Sequence, residues 1–239
     1  MIDENKNCTL IDRCNHIDCD CFCLRRYKTE RLYDNGMLSE KQRRRTLLVL
    51  DADERDKDSF EYLAGIEKHI VNFVESGGNI YIHSTTTGNG KTSWALRMLQ
   101  AYVNKMWAKA RVDDCIVLFV HVPRLLVELK NNIDSKSDYV TRIKSNIANA
   151  HLVVWDEVGT KGLTQFEHEN VLNFLNTRLD CGKANIFTSN LTNEELHSAV
   201  GDRLYSRIVL NSDEVELFGA DKRALRLWGA KDDTTSSIE

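Results

Sequence analysis

The sequence has no apolar run long enough to cross a bilayer. Its longest apolar strand spans about eight residues, where a membrane helix needs roughly twenty, so a membrane-spanning role is excluded and a cytoplasmic location is expected. Positive charge is not in excess either: 32 Lys and Arg stand against 36 Asp and Glu, a net of −4. Bulk charge therefore carries no nucleic-acid signal. The first residues, Met1-Ile2-Asp3-Glu4-Asn5-Lys6-Asn7, are polar and form no secretory leader, so the 7 cysteines are not expected to build a disulfide framework. There are no internal repeats, and the only low-complexity stretch is the polar tail 231–239, expected to be disordered.

What is present starts at Ile80. An apolar strand, Ile80-Tyr81-Ile82-His83, runs through Ser84-Thr85-Thr86 into Thr87-Gly88-Asn89-Gly90-Lys91-Thr92-Ser93 and then into a helical pattern. Glycines without Cβ let successive backbone N–H groups close around a phosphate, and a following helix adds its positive end. In such a loop Lys91 reaches the outer phosphates as a point charge, and the Thr92 hydroxyl sits on Mg²⁺. At average residue usage Gly-x-Gly-Lys-[Ser/Thr] arises by accident in about one chain in a hundred of this length, so context decides. The full pattern wants glycine at position 85, where this chain has threonine. The loop's entry turn must therefore be made another way.

The context agrees. Ala95, Leu96, Leu99, Tyr102, Val103 and Met106 recur at spacings of three and four, predicting an amphipathic helix over 91–106. Leu152-Val153-Val154-Trp155-Asp156-Glu157 is an apolar run ending in two carboxylates, the form of a buried parallel strand whose C-terminal end faces a ligand. There Asp156 would hold Mg²⁺ through its water shell and Glu157 would polarise an attacking water. Standing alone, such a pair reads equally well as a strand ending in solvent. Cys115 to Val122 predicts an intervening strand, followed by a helix that begins at the single proline, Pro123. Asn185 to Asn190 predicts another strand after a helix over 165–179, with Asn190 emerging beside Glu157 to orient the water or contact the outer phosphate. Strands and helices alternating at these lengths predict an α/β fold, a parallel sheet with helices on both faces.

In this order of motifs, ending in Gly201-Asp202-Arg203-Leu204-Tyr205-Ser206-Arg207-Ile208, the chain resembles the AAA+ ATPases that load replicative helicases, the DnaC/DnaI type. Phage-borne loaders fit best, on Gly88 to Ala95 and Gly201 to Ile208, and the resemblance covers roughly residues 60 to 228. It implies an ATPase, weak alone and stimulated by DNA or partner, that self-associates through its ATPase domains. It further implies delivery of a hexameric replicative DNA helicase to single-stranded DNA. By the same resemblance Lys91 and Thr92 serve ATP and Mg²⁺, Asp156 and Glu157 hydrolysis, and Asn190 a first sensor. Arg207 matches the arginine finger offered to a neighbouring subunit, with Arg203 as the alternative, and Arg223 is a weaker match to a second sensor. Independently of family, a planar, permanently charged guanidinium suits the charge spread over a transferring phosphoryl group. Arg203 and Arg207, four apart, would expose both side chains on one helix face; an ordinary solvated face is the competing reading.

Five cysteines fall before residue 24: Cys8, Cys14, Cys19, Cys21 and Cys23, with His16 among them. A segment too short for a core needs a staple, and thiolates with an imidazole supply the four ligands of a tetrahedral Zn²⁺. Free thiols and an iron–sulfur cluster are the alternatives, since no Cys-x-x-Cys pair is present. Relatives of the loader type resemble the chain in bearing an N-terminal cysteine module that engages the helicase. Cys115 and Cys181 read as small core hydrophobes. The expected organisation is a zinc-binding module over 1–50, a charged linker over 51–58, an ATPase domain over 59–230 opening with one helix over 59–75, and the tail. The basic clusters Arg25-Arg26-Tyr27-Lys28 and Lys41 to Arg45 read as solvated faces, with DNA phosphates or an acidic partner as the alternative. Two rival functions share these motifs: an ATPase that assists a transposase, and an adaptor that binds nucleotide without hydrolysing it.

Overall fold

The computed structural model describes residues 22–44, 54–131, 137–160 and 162–221. Five strands, β1 (Asn79–His83), β2 (Val117–His121), β3 (Leu152–Asp156), β4 (Ala184–Ser189) and β5 (Asp213–Glu216), pair in parallel in the order β2-β3-β4-β1-β5. Between and before them lie α1 (Phe22–Asn35), α2 (Glu40–Arg44), α3 (Lys57–Lys68), α4 (Ile70–Glu75), α5 (Lys91–Met106), α6 (Val122–Asn131), α7 (Asp138–Asn146), α8 (Gln165–Asp180) and α9 (Asn193–Tyr205).

Successive strand residues point to opposite faces, so the apolar runs feed two cores at once. Ile80, Ile82, Val117, Phe119, Val154 and Ile186 pack beneath α1, α3, α4 and α5. Tyr81, Leu118, Val120, Val153, Trp155 and Phe187 pack beneath α6 to α9. That two-sided burial explains why the strands read as continuous apolar runs rather than alternating ones. The predicted helix over 91–106 is found at those bounds. Helices α8 and α9 each open with a capping box, Thr164 with Glu167 and Thr192 with Glu195.

The strand order positions the site. The chain leaves β1 for β2 at one edge and later passes from β4 across β1 to β5 at the other. Between β1 and β4 the order reverses, and ligands of open α/β sheets bind outside the C-terminal strand ends at such a point. The loop after β1, the acids after β3 and the end of β4 meet there.

Beneath the opposite end of the sheet lies Arg178, fully buried in α8. Its guanidinium donates to Ile147 O at 2.6 Å, Ala150 O at 2.8 Å, Ala184 O at 2.6 Å, His151 O at 3.4 Å and Asn185 Oδ1 at 2.7 Å. One side chain thus joins the loop after α7 to the entries of β3 and β4. Burial pulls the guanidinium's pKa down to about 9. Replacing Arg178 by leucine strands several buried acceptors at once, and Arg178→Leu is expected to lose about 3–5 kcal/mol of stability. Urea unfolding checks it; a loss under about 1 kcal/mol would show that the network adds little.

The structure differs from the sequence reading at the amino-terminal side. Residues 22–44, expected to belong to a separate module, share the ATPase core: Leu32, Tyr33 and Leu38 are buried in it. Phe119 N donates to Gly36 O at 2.9 Å, and a Cβ on Gly36 would stand 2.7 Å from Val117 O, so only glycine permits this approach. The expected charged linker contains a short 3₁₀ turn, Glu54–Asp56, in which Asp56 is fully buried. The single helix expected over 59–75 is two, α3 and α4, broken at His69; the apolar stripe continues across the break, with Phe60 and Leu63 on α3 and Ile70 and Val74 on α4 buried. Cys181 is exposed at the end of α8, not in the core, whereas Cys115 is half-buried and burial pushes its thiol up to about 12. Arg43 is no solvated cation: it pairs with Glu30 and Asp34 and lies over the Tyr33 ring. Among the described residues no helix is long and apolar enough to cross a membrane.

Candidate nucleotide site

The loop from Ser84 to Gly90 turns without a glycine at its entry. Ser84, fully enclosed at the end of β1, accepts from Thr86 N at 3.1 Å and from Asn89 Nδ2 at 2.6 Å through its hydroxyl. This local hydroxyl turn does what glycine at 85 would do, and Thr85 is left exposed. Gly88 and Gly90 have φ of 76° and 117°, the left-handed region that favours glycine, and α5 starts immediately after. Lys91 turns its ammonium back into the loop, donating to Ser84 O at 3.2 Å, Thr86 O at 2.7 Å and Asn89 Oδ1 at 3.1 Å. It is buried, not displayed on an open loop. Thr87 is exposed on the loop's outer turn, and Ser93 is half-buried in the first turn of α5.

Two elements distant in sequence complete the site. Thr92 Oγ1 donates to Asp156 Oδ1 at 2.8 Å, bringing the first turn of α5 to the end of β3. Thr188 of β4 donates to the same oxygen at 2.8 Å, and its hydroxyl accepts from Glu157 N at 3.0 Å. Thr188 therefore fixes both acids, and Glu157 is held at φ 61°, an uncommon conformation for a residue with a side chain. His121, paired in register with Asp156 at the end of β2, places Nε2 at 3.3 Å from Glu157 Oε2. Burial raises the Asp156 pKa above the usual carboxylate range, as does the neighbouring Glu157 charge; the Thr92 and Thr188 hydroxyls and His121 oppose the rise. Hydroxyl and carboxylate oxygens at this separation are the hard donors Mg²⁺ takes, with water and phosphate oxygens for the rest of its shell.

Asn190 is half-buried just past the end of β4. The arginines are arranged differently from a simple exposed pair. Gly201, at φ 74° and ψ 167°, breaks α9, and residues Ser206–Leu210 form a π turn. Arg203 is exposed and lines a cavity of about 430 Å³ with Gln165, His168, Glu169, Leu172 and Asp202. Arg207 is half-buried, and its guanidinium donates to Asn176 of α8 and, at 3.2 Å, to Arg203 O. Arg223 lies outside the described residues. So do Cys8, Cys14, His16, Cys19 and Cys21; the sixth zinc candidate, Cys23, is exposed in the first turn of α1. Ser84, His121 and Thr188 are the residues the sequence reading passed over. Their only sequence signal is a polar residue at the C-terminal end of an apolar strand.

The sequence pattern of the family described as IstB-like ATP binding protein matches residues 45–223. No curated protein matches the chain. Among solved structures, the DnaC helicase loader is 21% identical, with 71% of this chain and 96% of that one covered at a TM-score of 0.56. DnaI is 20% identical, with 78% and 94% covered at 0.56. Domain III of the Thermotoga maritima replication initiation protein DnaA is 17% identical, with 75% and 69% covered at 0.55. At these identities the likeness is one of fold.

Proposed function

The chain belongs to the IstB-like ATP-binding proteins, and from that premise we propose that it is an Mg²⁺-dependent ATPase, of the phage-borne kind, that delivers a hexameric replicative DNA helicase to single-stranded DNA. The observation that carries the ATPase reading is the contact of Thr92 with Asp156 beside a loop closed around Lys91. Lys91 and the loop amides from Thr87 to Ser93 would hold the phosphates, and Thr92 with Asp156 would hold Mg²⁺, which neutralises charge on the phosphate oxygens. Glu157, set by Thr188 and His121, would orient and polarise the attacking water, and Asn190 would face the outer phosphate. Arg207 or Arg203 of an associated subunit would meet the charge that develops on transfer.

The helicase assignment is supported by the fold shared with DnaC and DnaI, together with the cysteine-rich amino terminus, which we assign to helicase binding around one Zn²⁺. A transposase-assisting ATPase uses the same nucleotide residues, and the IstB-like family match favours it as the second reading. A pull-down from the native host separates the two: recovery of a replicative helicase supports the loader, and recovery of a transposase without helicase overturns it. Elemental analysis of the same preparation, reduced and fresh, is expected to find about one zinc per chain. Single-turnover ATP hydrolysis with and without single-stranded DNA distinguishes either enzyme from a non-hydrolysing adaptor.

A further inference from the structure

The segment after β5 crosses the phosphate loop and is tied to it. Leu217 N donates to His83 O at 2.9 Å, and Asn89 Nδ2 donates to Leu217 O at 3.2 Å. The buried Asp56 then accepts from Phe218 N at 2.6 Å and Gly219 N at 2.9 Å. Two residues beyond that anchor, the Asp221 carboxylate rests on Gly88. A Cβ on Gly88 would stand 1.9 Å from Asp221 Oδ1, 2.4 Å from Cγ and 2.8 Å from Oδ2. An anion thus lies against the glycine of a loop whose amides and Lys91 are arranged for anions.

We propose that Asp221 is an affinity-setting residue of the nucleotide site, an internal anion on the phosphate loop that incoming nucleotide phosphates must displace. The inference rests on the nucleotide-site reading above. A carboxylate and a phosphate that share one loop repel each other, and the cost is met by turning Asp221 away from Gly88. Gly219 is fixed by Asp56, so the turn falls at Ala220 and Asp221. The anchor at Phe218 and Gly219 stays in place.

Asp221→Asn keeps the shape and removes the charge at an exposed position. Titration of a fluorescent ATP analogue into the full chain at low salt is expected to show about tenfold tighter binding for Asp221→Asn, and the gain should shrink as ionic strength rises. Asp180→Asn, an equal charge change at the exposed end of α8, is expected to bind like the parent. Binding of Asp221→Asn no tighter than the parent, or the same gain in Asp180→Asn, overturns the proposal while leaving the nucleotide site standing. Lys91→Ala is titrated in both backgrounds: full binding there removes the nucleotide-site reading itself, and this inference with it.

Discussion

Lys91→Ala is expected to weaken ATP binding at least about a hundredfold and to leave no measurable turnover. The Lys91 ammonium is enclosed by three loop oxygens, those of Ser84, Thr86 and Asn89. Phosphate oxygens would meet the ammonium as charged partners, and each hydrogen bond between charged groups is worth about 1.5–3 kcal/mol. Two such contacts correspond to a hundredfold or more. Because Lys91 is buried, its removal also leaves loop acceptors unpaired, so a modest loss of stability, about 1–3 kcal/mol, should accompany the lost affinity. Thermal unfolding read alongside nucleotide titration keeps the two apart. Glu157→Gln provides the contrast. It keeps the loop, Thr92 and Asp156, and should bind ATP like the parent while failing to cleave it. Parental affinity and turnover in Lys91→Ala would remove the loop from the mechanism; parental turnover in Glu157→Gln would remove only Glu157.

The parts of this site legible in the sequence are those that one continuous segment encodes. A strand, a glycine loop and a periodic helix follow each other without interruption from Ile80 to Met106, and local physics fixes each in turn. The Asp156-Glu157 strand end was legible for the same reason. Thr188 and His121 were not, because their role depends on strand order. Nothing in a linear sequence says that β3 lies between β2 and β4, and only that order sets His121 and Thr188 on either side of the acids. Asp56 was hidden by its neighbours: residues 51–58 are nearly all charged, and a charge-dense stretch conceals a carboxylate that is buried and accepts from Phe218 N and Gly219 N. Helix α1 was obscured in a similar way. Most of its residues are polar, and Leu32 and Tyr33 alone among its described residues reach the core, too few to give a period. Ser84 could have been found from the missing glycine at 85, since a hydroxyl beside that gap is the common substitute for a glycine turn.

Arg207→Ala is expected to bind ATP nearly as well as the parent and to hydrolyse it about a thousandfold more slowly, the loss typical of a trans-acting arginine. Its own loop is untouched, because the hydrogen bonds of Arg207 run to Asn176 and to Arg203 O. Those same bonds bear on which arginine acts. Arg207 is half-buried and would have to leave Asn176 to reach another subunit, whereas Arg203 is exposed and lines the open cavity beside Asp202. Arg203→Ala therefore belongs in the same experiment, with both variants assayed at concentrations where the subunits associate. Mixing either one with Lys91→Ala provides the decisive arm. Lys91→Ala subunits hold no ATP but carry both arginines, and the arginine variants hold ATP but lack one. If the active arginine works across the subunit boundary, the mixture recovers turnover that neither component has, because sites that bind ATP then meet an intact guanidinium. Recovery with one arginine variant and full activity in the other identifies the finger. Should neither variant slow hydrolysis, or should every mixture stay as inactive as its parts, neither Arg203 nor Arg207 acts in trans.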